Sequence, residues 1–293
     1  MIEIKGLVKN FGDIVALDGV NMNVQTGSVY GLVGPNGCGK TTTIKHVLGV
    51  YRQDDGNVMI DGEDVWENTQ AKQKIAAIPD DWFFFPSATI KDMMEFYKGF
   101  YRNFSEARFK KFGEIFQIPH SRRISTLSRG MKKQVAFWLS LSTMPEYLIL
   151  DEPVDGLDPS MRRQVWSLVV DDVFQRGMTV LVSSHNLREL EDVCSYVGIM
   201  KNGRIEIERS LTKLQDNMTK LQLVFPDGRN EFPKDIPVLN ISRMGRVFTV
   251  ILRMSAKEAE ERLAPYEPVM MEAMPLTLEE IFIYEMGGQS SVL

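Results

Sequence analysis

Along this 293-residue chain, short apolar runs recur with amphipathic stretches between them. The first five residues, Met1-Ile-Glu-Ile-Lys5, alternate strictly, the pattern of a half-buried strand. Val29-Tyr-Gly-Leu-Val33 is apolar throughout and opens into a glycine-rich loop followed by a helical stretch, Lys40 to Leu48, which reads as strand, loop, helix. Tyr147-Leu-Ile-Leu150 ends in acidic residues, and Thr179-Val-Leu-Val182 ends in Ser183-Ser184-His185. Val197-Gly-Ile-Met200 leads into Lys201-Asn202-Gly203-Arg204 and Ile205, and Asn-Gly between apolar runs signals a hairpin. Unbroken apolar strands separated by helices predict an α/β core on a mostly parallel sheet, because such strands are covered on both faces. The first 28 residues and Asn57 to Gly62 predict a small antiparallel section.

The pattern changes near residue 211. Beyond it lie strand-like Leu221 to Phe225, a Pro226-Asp-Gly228 turn, strand-like Val247 to Leu252, and two helix starts. Ser255-x-x-Glu258 and Thr277-x-x-Glu280 both have the spacing of a capping box. These features predict a main domain at 1–210 and a small α+β domain at 211–293. The small domain carries no catalytic constellation and reads as a packing, dimerisation or partner-binding appendage.

Composition narrows the classes. With 44% hydrophobic and 25% charged residues, the chain is neither disordered nor collagen-like. Its longest apolar candidate, Val135 to Met144, is too short to span a bilayer. The start has no charged segment followed by an apolar one, so a cytosolic protein without a signal peptide is expected. A net charge of −5 argues against nucleic acid as a partner. Cys38 and Cys194 are too few for a disulfide framework or a cysteine-rich zinc site, and His46, His120 and His185 are too scattered in sequence for a metal cluster.

The sharpest local signal is Gly34-Pro35-Asn36-Gly37-Cys38-Gly39-Lys40-Thr41, which matches G-x-x-x-x-G-K-[ST]. Glycines let backbone N–H groups curl around a phosphate chain without Cβ obstruction. Lys40 supplies charge to the β and γ oxygens, Thr41 offers a hydroxyl to Mg²⁺, and the helix start adds a positive dipole end. Chance yields on the order of 0.01 such matches in a chain of this length. A second element, Tyr147-Leu-Ile-Leu-Asp151-Glu152, places a carboxylate at the end of a strand, where Asp151 can hold Mg²⁺ through water. Glu152, one residue on, can orient or deprotonate an attacking water. A third, Leu127-Ser128-Arg129-Gly130-Met131, precedes a helical stretch to Ser142, with Ser128 placed to cap that helix and leave N–H groups pointing at an anion.

This third run resembles the signature motif of ABC ATPases, and the resemblance extends over residues 1–210 with the motifs in order. It implies a P-loop NTPase fold with a helical signature subdomain at about 82–143. Phe11 resembles the aromatic that stacks on adenine, Asp155-Gly-Leu-Asp158 the D-loop, and His185 the histidine that contacts the γ-phosphate. ATP would then be held by Phe11, residues 34–42 up to Thr42, and Ser128 and Gly130 of a second chain. That second chain is either an identical copy or a related ATPase. Mg²⁺ would sit on Thr41 and Asp151. Asp80 replaces the glutamine usual after Ile78-Pro79, and is expected at the same ion through water. Arg129 and Met131 replace the commonest signature residues, and Cys38 a small P-loop residue. A redox role for Cys38 is the lesser reading beside simple space filling.

Nine of the 28 aromatic residues lie between Trp82 and Phe104, about four times an even share. In the family, this region receives a membrane subunit, and an apolar cluster suits a helix-in-groove interface. The single P-loop and the absence of a long heptad insertion point to a subunit that drives a separate permease from the cytoplasmic face of the membrane. A soluble ABC ATPase is the competing reading. The Ser-Arg-Gly-Met signature and the Thr277-Leu-Glu-Glu-Ile-Phe-Ile283 ending resemble the bacterial branch that exports drugs, antimicrobial peptides or other hydrophobic compounds.

Overall fold

The computed structural model describes residues 1–81, 84–211, 213, 217–229 and 231–285. These fall into two compact units, one of residues 1–186 and 193–208, the other of 187–192 and the described residues from 209 onward.

In chain order the first unit begins with β1 (Ile2–Phe11), β2 (Ile14–Val24), β3 (Val29–Val33), α1 (Lys40–Val47), β4 (Asp55–Ile60) and β5 (Glu63–Asp64). It continues through α2 (Thr69–Gln73), β6 (Ile75–Ile78), α3 (Ile90–Phe100), α4 (Glu106–Phe116) and α5 (Arg129–Ser142). It closes with β7 (Tyr147–Asp151), α6 (Pro159–Arg176), β8 (Thr179–Ser184), β9 (Tyr196–Lys201) and β10 (Arg204–Ser210). The alternating N-terminal residues form the expected antiparallel sheet, in the order β2-β1-β4-β5, with Ile2 opposite Val24 on one side and Ile60 on the other. The second sheet runs β10-β9-β3-β8-β7-β6, and the pairs from β9 across to β6 are parallel. Every residue of β3, β7 and β8 is buried, as unbroken apolar runs demand when helices cover both faces. Asn202 and Gly203 both adopt positive φ, 48° and 75°, giving the hairpin turn that Asn-Gly signals.

The segment spanning α3 to α5 has its own apolar centre. Phe109, Phe112 and Phe116 recur on one buried face of α4; Phe109 and Phe116 pack on Trp138 of α5, whose indole N–H donates to the Phe109 carbonyl at 2.7 Å. A buried carboxylate ties this segment to the rest of the unit. Asp172 of α6 accepts from Arg108 of α4 at 2.7 and 2.8 Å and from Arg176 at 2.8 Å.

The second unit contains β11 (Thr219–Val224), β12 (Asn240–Met244), β13 (Val247–Leu252), α7 (Ala256–Leu263), β14 (Met270–Met274) and α8 (Leu278–Glu285). Its sheet is ordered β12-β13-β11-β14, with all three pairings antiparallel. Leu221, Leu223, Phe225, Phe248 and Val250 form its core with Ala259 and Leu263 of α7. The box at Thr277 is reciprocal: its hydroxyl accepts from Glu280 N–H at 3.2 Å while Glu280 accepts from Thr277 N–H at 3.0 Å. At Ser255 only half the box forms, because the Glu258 carboxylate accepts from Arg262 instead. Among the described residues no helix is long and apolar enough to cross a membrane.

Candidate active site

β3 ends at Val33 and the chain curls through residues 34–39 into α1. Two of the glycines are required by close approach. A methyl on Gly34 would lie 2.2 Å from the Met200 carbonyl oxygen of β9. One on Gly39, at φ +114°, would lie 2.8 Å from both Leu17 and Met200 side-chain atoms. The loop is pinned from outside by Gly203, whose N–H donates to the Cys38 carbonyl at 2.9 Å. Gly39 occupies the N-cap of α1 and brings no side chain to it, so no side-chain cap competes for the helix's first N–H groups.

Lys40 is buried. Its ammonium donates to the Gly34 carbonyl at 2.7 Å and the Pro35 carbonyl at 3.3 Å, and stands 3.6 Å from a Glu152 carboxylate oxygen. Asn36 and Thr41 are exposed, Pro35 and Thr42 half-buried, and the Thr42 carbonyl faces His46 Nδ1 at 2.8 Å. Cys38 is buried, and desolvation pushes its thiol pKa up against the pull of Lys40. The thiol is therefore protonated and weakly reactive, which favours the space-filling reading over redox control.

Parallel pairing of β7 with β8 sets Asp151 opposite Ser183. The Ser183 hydroxyl donates to the Asp151 carboxylate, which is only 2% exposed. Glu152, the first residue beyond the strand, is left-handed at φ 46°. For a side chain of this type that backbone costs about 1 kcal/mol or more, so the surroundings must hold it. Glu152 N–H donates to the Ser183 carbonyl at 3.3 Å. One carboxylate oxygen meets Lys40; the other accepts from His185 Nδ1 at 2.9 Å. Nδ1 carries the proton in this arrangement, since a carboxylate only accepts. Donor atoms of Glu152, Asp155 and His185 all lie within 4.8 Å of one another, so His185, scattered in sequence, is not isolated in space.

Ser128 caps α5, accepting from Met131 N–H at 3.2 Å, and a methyl on Gly130 would come 3.3 Å from the Gly156 carbonyl. The signature therefore packs on the backbone of the 155–158 loop in the same chain. Asp80 is exposed and lies 3.9 Å from Arg129, so two positions that depart from the family pattern face each other. Phe11 is half exposed at the end of β1, edge-on to Tyr51 at 5.4 Å with the Lys9 ammonium 5.6 Å from its ring.

In sum, Lys40, Glu152 and His185 meet directly and Ser183 adds Asp151. Ser128 caps the helix whose Gly130 packs on Gly156, and Phe11 forms a third group with Tyr51. Sequence reasoning passed over Lys133. It is fully buried in α5 and donates to the Glu152 carbonyl at 2.7 Å and the Asp155 carbonyl at 2.9 Å; burial lowers its pKa. A signal existed, since Lys133 lies four and eight residues before Phe137 and Leu141 on one helix face. Ser183 was visible at a strand end, but its partner depends on inter-strand register.

The ABC transporter family profile matches residues 17–155. The chain is 29% identical over 289 residues, 99% of each protein, to the ABC transporter ATP-binding protein YtrB of Bacillus subtilis (strain 168). It is 32% identical over 209 residues to the Nod factor export ATP-binding protein I of Burkholderia lata, covering 69% of this chain and 68% of that one. A solved ATP-binding subunit of an ABC transporter superposes with a TM-score of 0.69 at 26% identity, over 73% of this chain and 92% of that one. The P-loop fold and these relatives agree: the chain belongs to the ATP-binding proteins of ABC transporters, and it is an ATP hydrolase.

Proposed function

We propose that this ATPase works as a dimer, with an identical or related chain, on the cytoplasmic side of a separate multi-span permease, and that the cargo is an exported hydrophobic compound or peptide. The observation that carries the proposal is the division of the chemistry. Lys40, Glu152 and His185 form one connected group, while the Ser128 cap and Gly130 form a different one on the 155–158 loop. In this reading, the second group serves the nucleotide bound by the partner chain. Similarity to a protein named for Nod factor export supports the direction of transport.

The donor set suits Mg²⁺. The Thr41 hydroxyl and the Asp151 carboxylate are hard oxygen ligands, and Asp151 is already fixed by Ser183. Thr41 and Asp151 would hold the ion, with Asp80 reaching it through water, and the ion would neutralise charge on the β and γ oxygens. Lys40 binds the same oxygens once it leaves the loop carbonyls. Glu152 accepts the proton of the attacking water, and His185 orients that carboxylate and faces the transferring phosphoryl group. Phe11 stacks on the base. Differential binding to closed and open dimers then supplies the free energy that switches the permease.

The permease surface is assigned to the aromatic groove. Phe85, Phe96 and Phe100 are exposed and pack edge-on or tilted, Phe85 on Phe96 at 5.1 Å and Phe96 on Phe100 at 4.7 Å. They border a cavity of about 440 Å³ with Tyr97, Tyr101 and Met93. Trp82 and Phe83 of the same run lie outside the described residues. Residues 211–293 are assigned to an accessory domain that steadies the dimer.

Glu152→Gln tests the enzymatic half: it is expected to bind ATP, lose turnover and accumulate an ATP-dependent dimer in light scattering. A variant that stays monomeric with ATP, or hydrolyses normally, overturns both the base assignment and the shared-site dimer. Capture of the chain from detergent-extracted membranes tests the other half, with a multi-span protein expected in the eluate and only soluble partners counting against it.

A further inference from the structure

We infer that Lys133 is a positioning residue for hydrolysis: it holds the Glu152 peptide in the conformation that presents the carboxylate to His185 and the reacting water. The inference rests on Glu152 being the base. Its physical basis is the unusual state of Lys133 and Glu152. Lys133 is a completely buried lysine, a costly placement that needs hydrogen-bonding partners. Partners are supplied by backbone: the Glu152 carbonyl at 2.7 Å and the Asp155 carbonyl at 2.9 Å. Those two oxygens bracket the turn that carries the chain from the end of β7 into the 155–158 loop. Glu152 itself is left-handed, and its peptide N–H is held on the other side by the Ser183 carbonyl. The residue is thus gripped at both ends in a backbone conformation it would otherwise leave. Released from Lys133, the peptide is free to rotate toward ordinary φ. Any such rotation swings the carboxylate away from His185 Nδ1, now 2.9 Å distant.

The grip has a second consequence. Lys133 and the cap Ser128 stand on one helix, five residues or about 7.5 Å of rise apart. An event at the helix end is therefore felt at the Glu152 carbonyl through a rigid element.

The test uses the full chain with Lys133→Met, Lys133→Gln, Glu152→Gln and the Lys133→Met/Glu152→Gln double variant. Steady-state hydrolysis, equilibrium binding of a fluorescent ATP analogue and thermal unfolding are measured on each. Lys133→Met is expected to lower kcat at least tenfold with KM and nucleotide affinity within twofold of the parent. Lys133→Gln, which keeps an N–H donor on a shorter arm, should fall between. In the double variant the residual rate should equal that of Glu152→Gln alone, because Lys133 acts through Glu152. A folded Lys133→Met with unchanged kcat overturns the inference, and so do losses that multiply in the double variant. If Lys133→Met does not fold, Lys133→Gln decides on the same split, parental kcat counting against. Normal turnover by Glu152→Gln removes the base assignment itself. An inactive Glu152→Gln beside a fully active Lys133→Met removes only the present inference.

Discussion

The phosphate loop and the signature end of α5 both open a helix, yet the chain builds them differently. In the loop, Lys40 is buried, Gly34 is packed against β9, and Gly203 pins Cys38 from a separate hairpin. At the signature, Arg129 is 68% exposed, and its ion pair with Asp80 is long and open to solvent. The first is built from the interior of the sheet; the second is a surface cap on a helix. On the proposed reading, the site completed within one fold is stabilised by that fold's core, and the half-site that takes a counterpart stays at the surface.

The contrast breaks most severely at Gly34. Gly34→Ala forces a methyl to 2.2 Å from a strand carbonyl, so ATP affinity should fall more than a hundredfold and the unfolding midpoint by several degrees. Equilibrium binding and calorimetry check both. Lys40→Ala comes next, with ATP affinity of the monomer expected to drop at least tenfold. Ser128→Ala should do the converse, leaving monomer affinity unchanged and lowering ATP-dependent dimerisation and hydrolysis. Loss of the cap itself costs about 1 kcal/mol, readable in urea unfolding.

Acid sharpens the loop side further. His46 of α1 is buried, and desolvation lowers its pKa below the ordinary value near 6.5. The unfolded chain therefore takes up this proton first. The His46 contribution is fully present above about pH 6.5 and is lost as pH falls through the folded pKa. His46→Gln should flatten the slope of unfolding midpoint against pH between 7 and 5, and an unchanged slope would show another group responsible. The smallest effect belongs to the surface pair: Asp80→Asn should leave the unfolding midpoint where it is, since exposed ion pairs contribute little.

Much of the nucleotide end was legible in sequence because each motif is contiguous and its chemistry is carried by residue type. The Gly34–Thr41 run, the acidic strand end and the Ser128 cap needed no knowledge of the rest of the fold. Lys133 and Ser183 were illegible for the opposite reason. Their partners lie 19 and 32 residues away, and only strand register and helix packing decide who meets whom. The second unit shows a different failure. β12 is exposed at every residue and β14 is largely methionine, so neither has the alternation that marks a half-buried strand. The aromatic-rich segment divides, with Phe85, Phe96 and Phe100 exposed and Phe104 packed on buried Phe109. Density of rings says nothing about direction, and the buried rings of the helical segment came instead from the spacing of Phe109, Phe112 and Phe116.

The Arg108–Asp172–Arg176 tie bears on mechanics. α6 is an 18-residue rod, about 27 Å long, with its only proline in its first turn and no internal glycine. One end is riveted to α4 through a buried carboxylate; the other is capped by Asp158, the last residue of the 155–158 loop. Such a rod has little compliance. A force that displaces α4 is delivered to that loop as displacement, not dissipated as bending, and the loop is the same one that Lys133 grips.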